Sequence, residues 1–211
     1  MPGIERPSRI PLFPLDVVLL PDMPLPLHIF EPRYKLMIGR CLDEKIEFGM
    51  VLATSQGLAA IGCTAEIVRK LRDYSDGRMD ILAEGRAIFR LAELLDEKEY
   101  YEGRVEYLAD SPYLRDAEKE AKLLAGFAEC YQLLAGRSWT GASEAELPVL
   151  TYHLAAQLPV ELETRQILLE TRAESDRRDV LLRWIGEFLP RLRERQRVQG
   201  KAGGNGHAYL N

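Results

Sequence analysis

Apolar and polar positions alternate along the first half of the chain and then fall into a helical period. Ile61, Cys63, Ala65 and Ile67 alternate with Gly62, Thr64 and Glu66, the period of a strand with one buried face. Met79, Ile81 and Ala83 alternate with Asp80, Leu82 and Glu84, and the run resumes after Gly85 with Ala87, Phe89 and Leu91. A glycine inside such a run predicts a bulge or bend, the device by which strands turn barrel corners. Ser75-Asp76-Gly77-Arg78 separates the first two runs. Asp-Gly tolerates the positive φ of a tight turn, so a hairpin is expected there. A third run sets Tyr101, Val105, Tyr107 and Ala109 to one side and Glu102, Arg104 and Glu106 to the other. With Phe48–Ala53 as a further buried strand, these runs predict a closed or nearly closed antiparallel sheet. One helix interrupts them. It starts at Glu31-Pro32-Arg33, with an acid and a proline at its first turn, and Tyr34, Met37, Ile38 and Cys41 form its apolar face.

Near Ser111-Pro112 the period becomes 3.6. Leu123, Leu124, Phe127, Tyr131 and Leu134 make a stripe closed by Gly136. Ser143 with Glu146 fits a capping box for the next helix. A third helix is expected from Pro159 through Ile167 and Leu168. A fourth, capped by Ser175, carries Leu181, Leu182, Ile185, Phe188, Leu189 and Leu192, and Pro190 should kink it or end it early. The expected organisation is α+β: a β-rich part with one helix over residues 1–112, a bundle of about four helices over 113–198, and a flexible glycine-rich tail over 199–211.

Composition narrows the class. A chain of 211 residues that is 46% hydrophobic can bury a sizeable core. The net charge of −5 comes wholly from the β-rich part, which disfavours a generally basic nucleic-acid binder. No apolar run is long enough to span a bilayer, and MPGIERPSRI lacks the apolar core of a signal peptide, so the expected location is the cytoplasm. Cys41, Cys63 and Cys130 are odd in number and far apart, so neither a disulfide framework nor a CxxC metal site is indicated.

Catalytic constellations are missing. There is no GxxxxGK[ST] phosphate loop, GxGxxG, GxSxG or HExxH. His28, His153 and His207 lie far apart with no partner at metal-ligand spacing, so no metal or cofactor is expected. Cys41 and Cys130 fall on apolar helix faces, as buried free cysteines do. Arg191, Arg193, Arg195, Arg197 and Lys201 form one basic cluster against Glu194. Its ordinary reading is a solvated helix end, since no aromatic platform for bases is interleaved with it.

The string PLFPL (11–15), VLLP (18–21) and LPLHIFEPRY (25–34) resembles the start of the Lon protease N-terminal domain. Phe48-Gly49, Ile61-Gly62-Cys63, Asp76-Gly77-Arg78, Gly85-Arg86, Leu158-Pro159 and Arg165-Gln166-Ile167-Leu168-Leu169-Glu170 extend the similarity over roughly residues 10–190. The resemblance implies a PUA-like pseudo-barrel followed by a helical bundle, in a domain that engages substrates while other Lon domains hydrolyse ATP and cleave peptides. No counterpart of the Lon Ser–Lys dyad or nucleotide site is found here, so a stand-alone Lon-domain protein without catalysis is expected. Phe13, Ile29 and Phe30 are expected to plug the barrel. Glu31 and Arg33, at a strand-to-helix junction, are read first as a cap or ion pair and second as ligand contacts. Arg78 is read first as a turn charge and second as a partner contact. Two functions compete: a module capturing exposed peptide segments or a protein partner, and a small-molecule or RNA-binding PUA-like protein. A hydrolase is the remote third. For the first, the acidic β-rich part and a cleft at the junction of the two parts suggest segments carrying Lys or Arg. Oligomeric state is left open.

Overall fold

The proline-punctuated N-terminal string forms a strand, a crossing and a second strand before the first helix can begin. The structure, a computed structural model, describes residues 6–141 and 144–204. The chain divides into two compact units, Met1–Asp110 with Glu161–Glu170, and Ser111–Val160 with Thr171–Asn211.

The first unit holds β1 (Arg9–Leu15), β2 (Pro24–Ile29), α1 (Pro32–Glu44), β3 (Phe48–Thr54), β4 (Gly57–Leu58), β5 (Ile61–Asp73), β6 (Met79–Leu95) and β7 (Glu102–Tyr107). Strands β1, β7, β6, β5 and β3 pair in that order, and β3 pairs back to β1, closing a five-membered ring. The sheet is antiparallel as the alternation predicted except for this closing pair, which is parallel, with Leu12 opposite Gly49 and Leu15 opposite Leu52. The reason is the crossover: parallel neighbours need a long connection, and the passage through β2 and α1 supplies it. Ile10, Leu12, Val51, Phe89 and Val105 fill the ring.

Gly85 sits where the alternation predicted a bend. The β5–β6 register shifts between Cys63 and Ala65, and the Gly85 N–H donates to the Met23 carbonyl at 3.1 Å. A Cβ there would collide with the Leu20 carbonyl, so the crossing chain reaches β6 only because position 85 is glycine. The hairpin also forms as expected, with Gly77 at φ 80° and the Gly77 N–H donating to the Tyr74 carbonyl at 3.0 Å.

Two side chains in this unit depart from the alternation. Phe30 is not a barrel plug but 58% exposed: Ile29 takes the inward position, and strict alternation sends its neighbours outward. Glu102 does not face solvent with Arg104 and Glu106. Its side chain is only 4% exposed, accepting from Arg9 at 2.5 Å, Arg40 at 2.8 Å and Lys98 at 2.9 Å. A buried carboxylate persists only when paired in this way.

The second unit holds α2 (Ala117–Ala135), a 3-10 turn over Glu144–Val149, α3 (Leu150–Ala156) and α5 (Glu174–Gly204). Asp116 caps α2 by accepting from the Lys119 N–H at 2.9 Å, and Gly136 ends it in the left-handed region. Helix α4 (Leu162–Glu170) starts three residues later than the expected Pro159, and it belongs to the first unit, where the Gln166 amide donates to the Ile61 carbonyl at 3.1 Å. Helix α5 begins at Glu174, one residue before the expected cap Ser175. The Glu174 carboxylate accepts from the Thr151 hydroxyl at 2.8 Å, Arg177 at 3.0 Å and Arg178 at 3.1 Å, all of them buried.

Pro190 does not end α5, which continues through it. One backbone hydrogen bond is lost at a proline, but both sides of this one are anchored. Leu189 and Leu192 are buried, Arg193 makes a two-pronged pair with Glu129 at 2.6 and 2.7 Å, and Gln196 donates to the Leu133 carbonyl at 2.8 Å. Ser143, the cap of the expected Ser143–Glu146 pair, and the tail residues 205–211, with His207, lie outside the described residues.

Candidate binding surface

Beyond Ala65, β5 leaves β3 and pairs only with β6, while β2 joins the other side of β6. Residues 24–29, 79–84 and 66–73 thereby form a three-stranded arm in the order β2–β6–β5 that runs to the Ser75–Arg78 hairpin. One register row aligns His28, Asp80 and Arg72 across the three strands. Cross-strand neighbours on one face are close enough to interact, and these three build the centre of a polar–aromatic cluster.

His28 Nδ1 lies 2.5 Å from Asp80 Oδ1, and the Tyr74 hydroxyl donates to Asp80 Oδ2 at 2.8 Å. The hydrogen bond with His28 and then that from Tyr74 hold the Asp80 carboxyl below the ordinary carboxylate range. Phe30 stacks on the His28 ring at 5.9 Å, and Tyr74 meets the same ring edge-on at 5.7 Å. The Arg72 and Arg78 guanidinium carbons lie 4.7 and 4.9 Å from the Tyr74 ring centre, within cation–π range. Beside this cluster opens a hollow of about 480 Å³ lined by Leu27, His28, Leu71, Arg72 and Asp80 among others. Ring faces, cations and an apolar hollow are means of holding a ligand.

Arg78 belongs to this surface. Asp76 accepts from its backbone N–H at 3.1 Å and from its guanidinium at 2.7 Å; the backbone bond foremost, then the side-chain one, keeps the Asp76 carboxyl low. Glu31 and Arg33 pair with each other instead, at 2.9 Å, with Arg33 lying 4.5 Å over the Tyr34 ring. Glu31 occupies the N-cap position of α1 through its backbone carbonyl, and its side chain makes no capping bond. Among the described residues no hydrogen bond joins Arg33 to Arg78. The link between α1 and the hairpin is Lys35, which the sequence did not single out and whose ammonium donates to the Asp76 carbonyl at 3.0 Å. His28, Phe30, Tyr74, Asp80 and Arg72 were likewise missed as a group. One signal was available: after Ile67 the alternation of β5 dissolves into Val68-Arg69-Lys70-Leu71-Arg72, which no half-buried strand requires.

Elsewhere the chemistry is quiet. Cys41, Cys63 and Cys130 are all buried; burial pushes the Cys41 thiol up to about 12 and the Cys130 thiol to about 11, leaving both protonated and unreactive at neutral pH. Among the described residues no group of three or more His, Cys, Asp or Glu could hold a metal ion, and no helix is long and apolar enough to cross a membrane.

Comparison with known proteins bears on most of the chain. A family model described as the ATP-dependent protease La (LON) substrate-binding domain matches residues 9–186. Lon protease of Escherichia coli (strain K12) is 26% identical over 219 residues, which take in 93% of this chain and 27% of that protein. Lon protease of Parabacteroides distasonis is 32% identical over 130 residues, 56% of this chain and 16% of its own length. The chain therefore spans about a quarter or less of these curated relatives. Among solved structures, a Lon N-terminal domain protein from Xanthomonas campestris superposes with a TM-score of 0.67 at 26% identity, covering 83% of this chain and 98% of that one. The N-terminal domain of Mycobacterium avium complex Lon protease gives 0.62 at 16% identity, over 84% of this chain and 98% of that one, a likeness of fold alone.

Proposed function

Because this chain belongs to the ATP-dependent protease La (LON) substrate-binding domain family, we propose that it is a non-enzymatic binding module that captures exposed segments of unfolded polypeptide or of a protein partner. We place the binding on the β2–β6–β5 arm. The observation that carries this reading is the company Phe30 keeps: a largely exposed aromatic ring stacked on His28, beside an apolar-walled hollow and two arginines on Tyr74. Exposed apolar surface with a polar rim is what a polypeptide-binding site offers. In this reading Arg78 contacts the partner, Glu31 and Arg33 hold the entry to α1, no cofactor takes part, and the module works in the cytoplasm.

The second reading, an RNA-binding or small-molecule PUA-like protein, has one observation on its side, the two arginines gathered on Tyr74. Calorimetric titration separates the two. Reduced, carboxymethylated ribonuclease should bind at least about tenfold more tightly than the native enzyme, and Phe30→Ser should weaken it. Equal binding of the native enzyme would contradict capture of exposed segments; a single-stranded RNA that binds better than either would favour the second reading.

A further inference from the structure

The β5 strand of the arm carries two irregularities with one consequence. Its register with β6 shifts between Ile67 and Arg69 and again between Lys70 and Arg72. The residues left without a ladder partner are Val68 and Leu71, 40% and 46% exposed. A bulge re-aims a side chain, and here both extra residues are apolar, while the two residues between them, Arg69 and Lys70, and the one after Leu71, Arg72, are cations. The five-residue run holds three positive charges and no acid. Lys70 is paired with Asp73 at 3.1 Å. Among the described residues neither Arg69 nor Arg72 makes an ion pair, and Asp80, the acid nearest Arg72 in the register, is already taken by His28 and Tyr74.

Taking the arm as the binding surface, we propose that its ligand is an acidic segment of polypeptide: one or two bulky apolar residues set against Leu71, Val68 and the neighbouring hollow, flanked by Asp or Glu that meet Arg69 and Arg72. The sequence-level charge balance pointed the other way, to segments rich in Lys or Arg. Several acids of this unit are already paired, however: Glu102 lies under Arg9, Arg40 and Lys98, and Glu84 and Glu66, at the base of the arm, pair with Arg86. Cations and bulges also keep sheet edges from pairing at random. That same design disfavours a second copy of this chain as occupant, since two such strands would set like charges together.

The test measures anisotropy of two labelled, capped peptides, Gly-Glu-Leu-Glu-Phe-Glu-Leu-Gly and its lysine counterpart, with the full chain at low and high salt. The acidic peptide should bind at least about tenfold more tightly than the basic one and lose most of that margin at high salt. The variant Arg69→Glu/Lys70→Glu/Arg72→Glu alters only exposed positions and should reverse the preference, a gain for the basic peptide that unfolding cannot produce. Absence of a charge preference, or a preference unchanged in the triple variant, overturns the proposal. If reduced, carboxymethylated ribonuclease still binds in that case, capture of exposed segments stands and only the ligand class is wrong. If no polypeptide binds, both fall. A single-stranded RNA that displaces the acidic peptide and binds more tightly also overturns it.

Discussion

Strands β5 and β6 run through two environments, and the contrast between them separates holding the fold from meeting a partner. In the barrel, Gly62, Cys63, Thr64 and Ala65 of β5 are buried, β5 has neighbours on both sides, and Phe89 of β6 lies in the centre of the ring. In the arm the same β5 is exposed from Val68 to Asp73, has β6 as its only strand neighbour, and carries two bulges. The chain is continuous across the boundary; what changes is the number of faces and edges covered. A strand covered on all sides is fixed by packing, whereas one covered on a single edge is free to be shaped by charge and by what it binds.

The contrast is broken most severely from the barrel side. Phe89→Ala removes the ring that Ile10, Leu12, Val51 and Val105 surround, and should cost about 3–5 kcal/mol, measured as a loss of denaturant midpoint. A cost near that of an exposed position would mean that the ring is not the core.

Acid should act next. Burial alone would raise the Glu102 carboxyl, but hydrogen bonds from Lys98, Arg9 and Arg40 outweigh it and hold it at about 2 instead of 4.5. A lowered folded value makes its contribution present above pH about 4.5 and lost as pH falls toward 2, amounting to about 3 kcal/mol across that window. Glu102→Gln should therefore be less stable at neutral pH by about 1–3 kcal/mol and show a flatter loss below pH 4.5. Parallel acid curves for the two proteins would remove Glu102 from the account.

Smaller effects are expected at the junction and the arm. Glu31 makes no side-chain cap, and its pair with Arg33 is partly exposed, so Glu31→Ala and Arg33→Ala should each cost only about 0.5 kcal/mol; a loss above 2 kcal/mol would restore the stronger structural role that the junction suggested. Leu71→Ser should change stability least of all, by under about 0.5 kcal/mol, while weakening binding of carboxymethylated ribonuclease. Undiminished binding with unchanged melting would take Leu71 out of the surface.

The sequence disclosed what local periodicity encodes. The β5–β6 hairpin, the glycine where β6 bends, the apolar face of α1 and the Gly136 helix end were all readable from spacing. Contacts between distant residues were not: Glu102 reads as one more outward acid until Arg9 and Arg40, 93 and 62 positions away, are folded onto it. Helix α4 has an ordinary helical pattern, and nothing in it tells that Gln166 reaches Ile61 in the β-rich unit. For Pro190 the local rule lost to packing on both sides. Of the candidate site, Arg78 was named from its turn, but its companions come from β2, α1 and both arms of the hairpin, and no linear spacing unites them.

Hydrogen exchange of the full chain, with and without saturating carboxymethylated ribonuclease, is the most direct test of whether the arm binds and the barrel holds. Binding at the arm should slow exchange across residues 66–82, with residues 85–95 and 102–107 already protected and unchanged. Slowing confined to residues 111–204, with none in the arm, would contradict it.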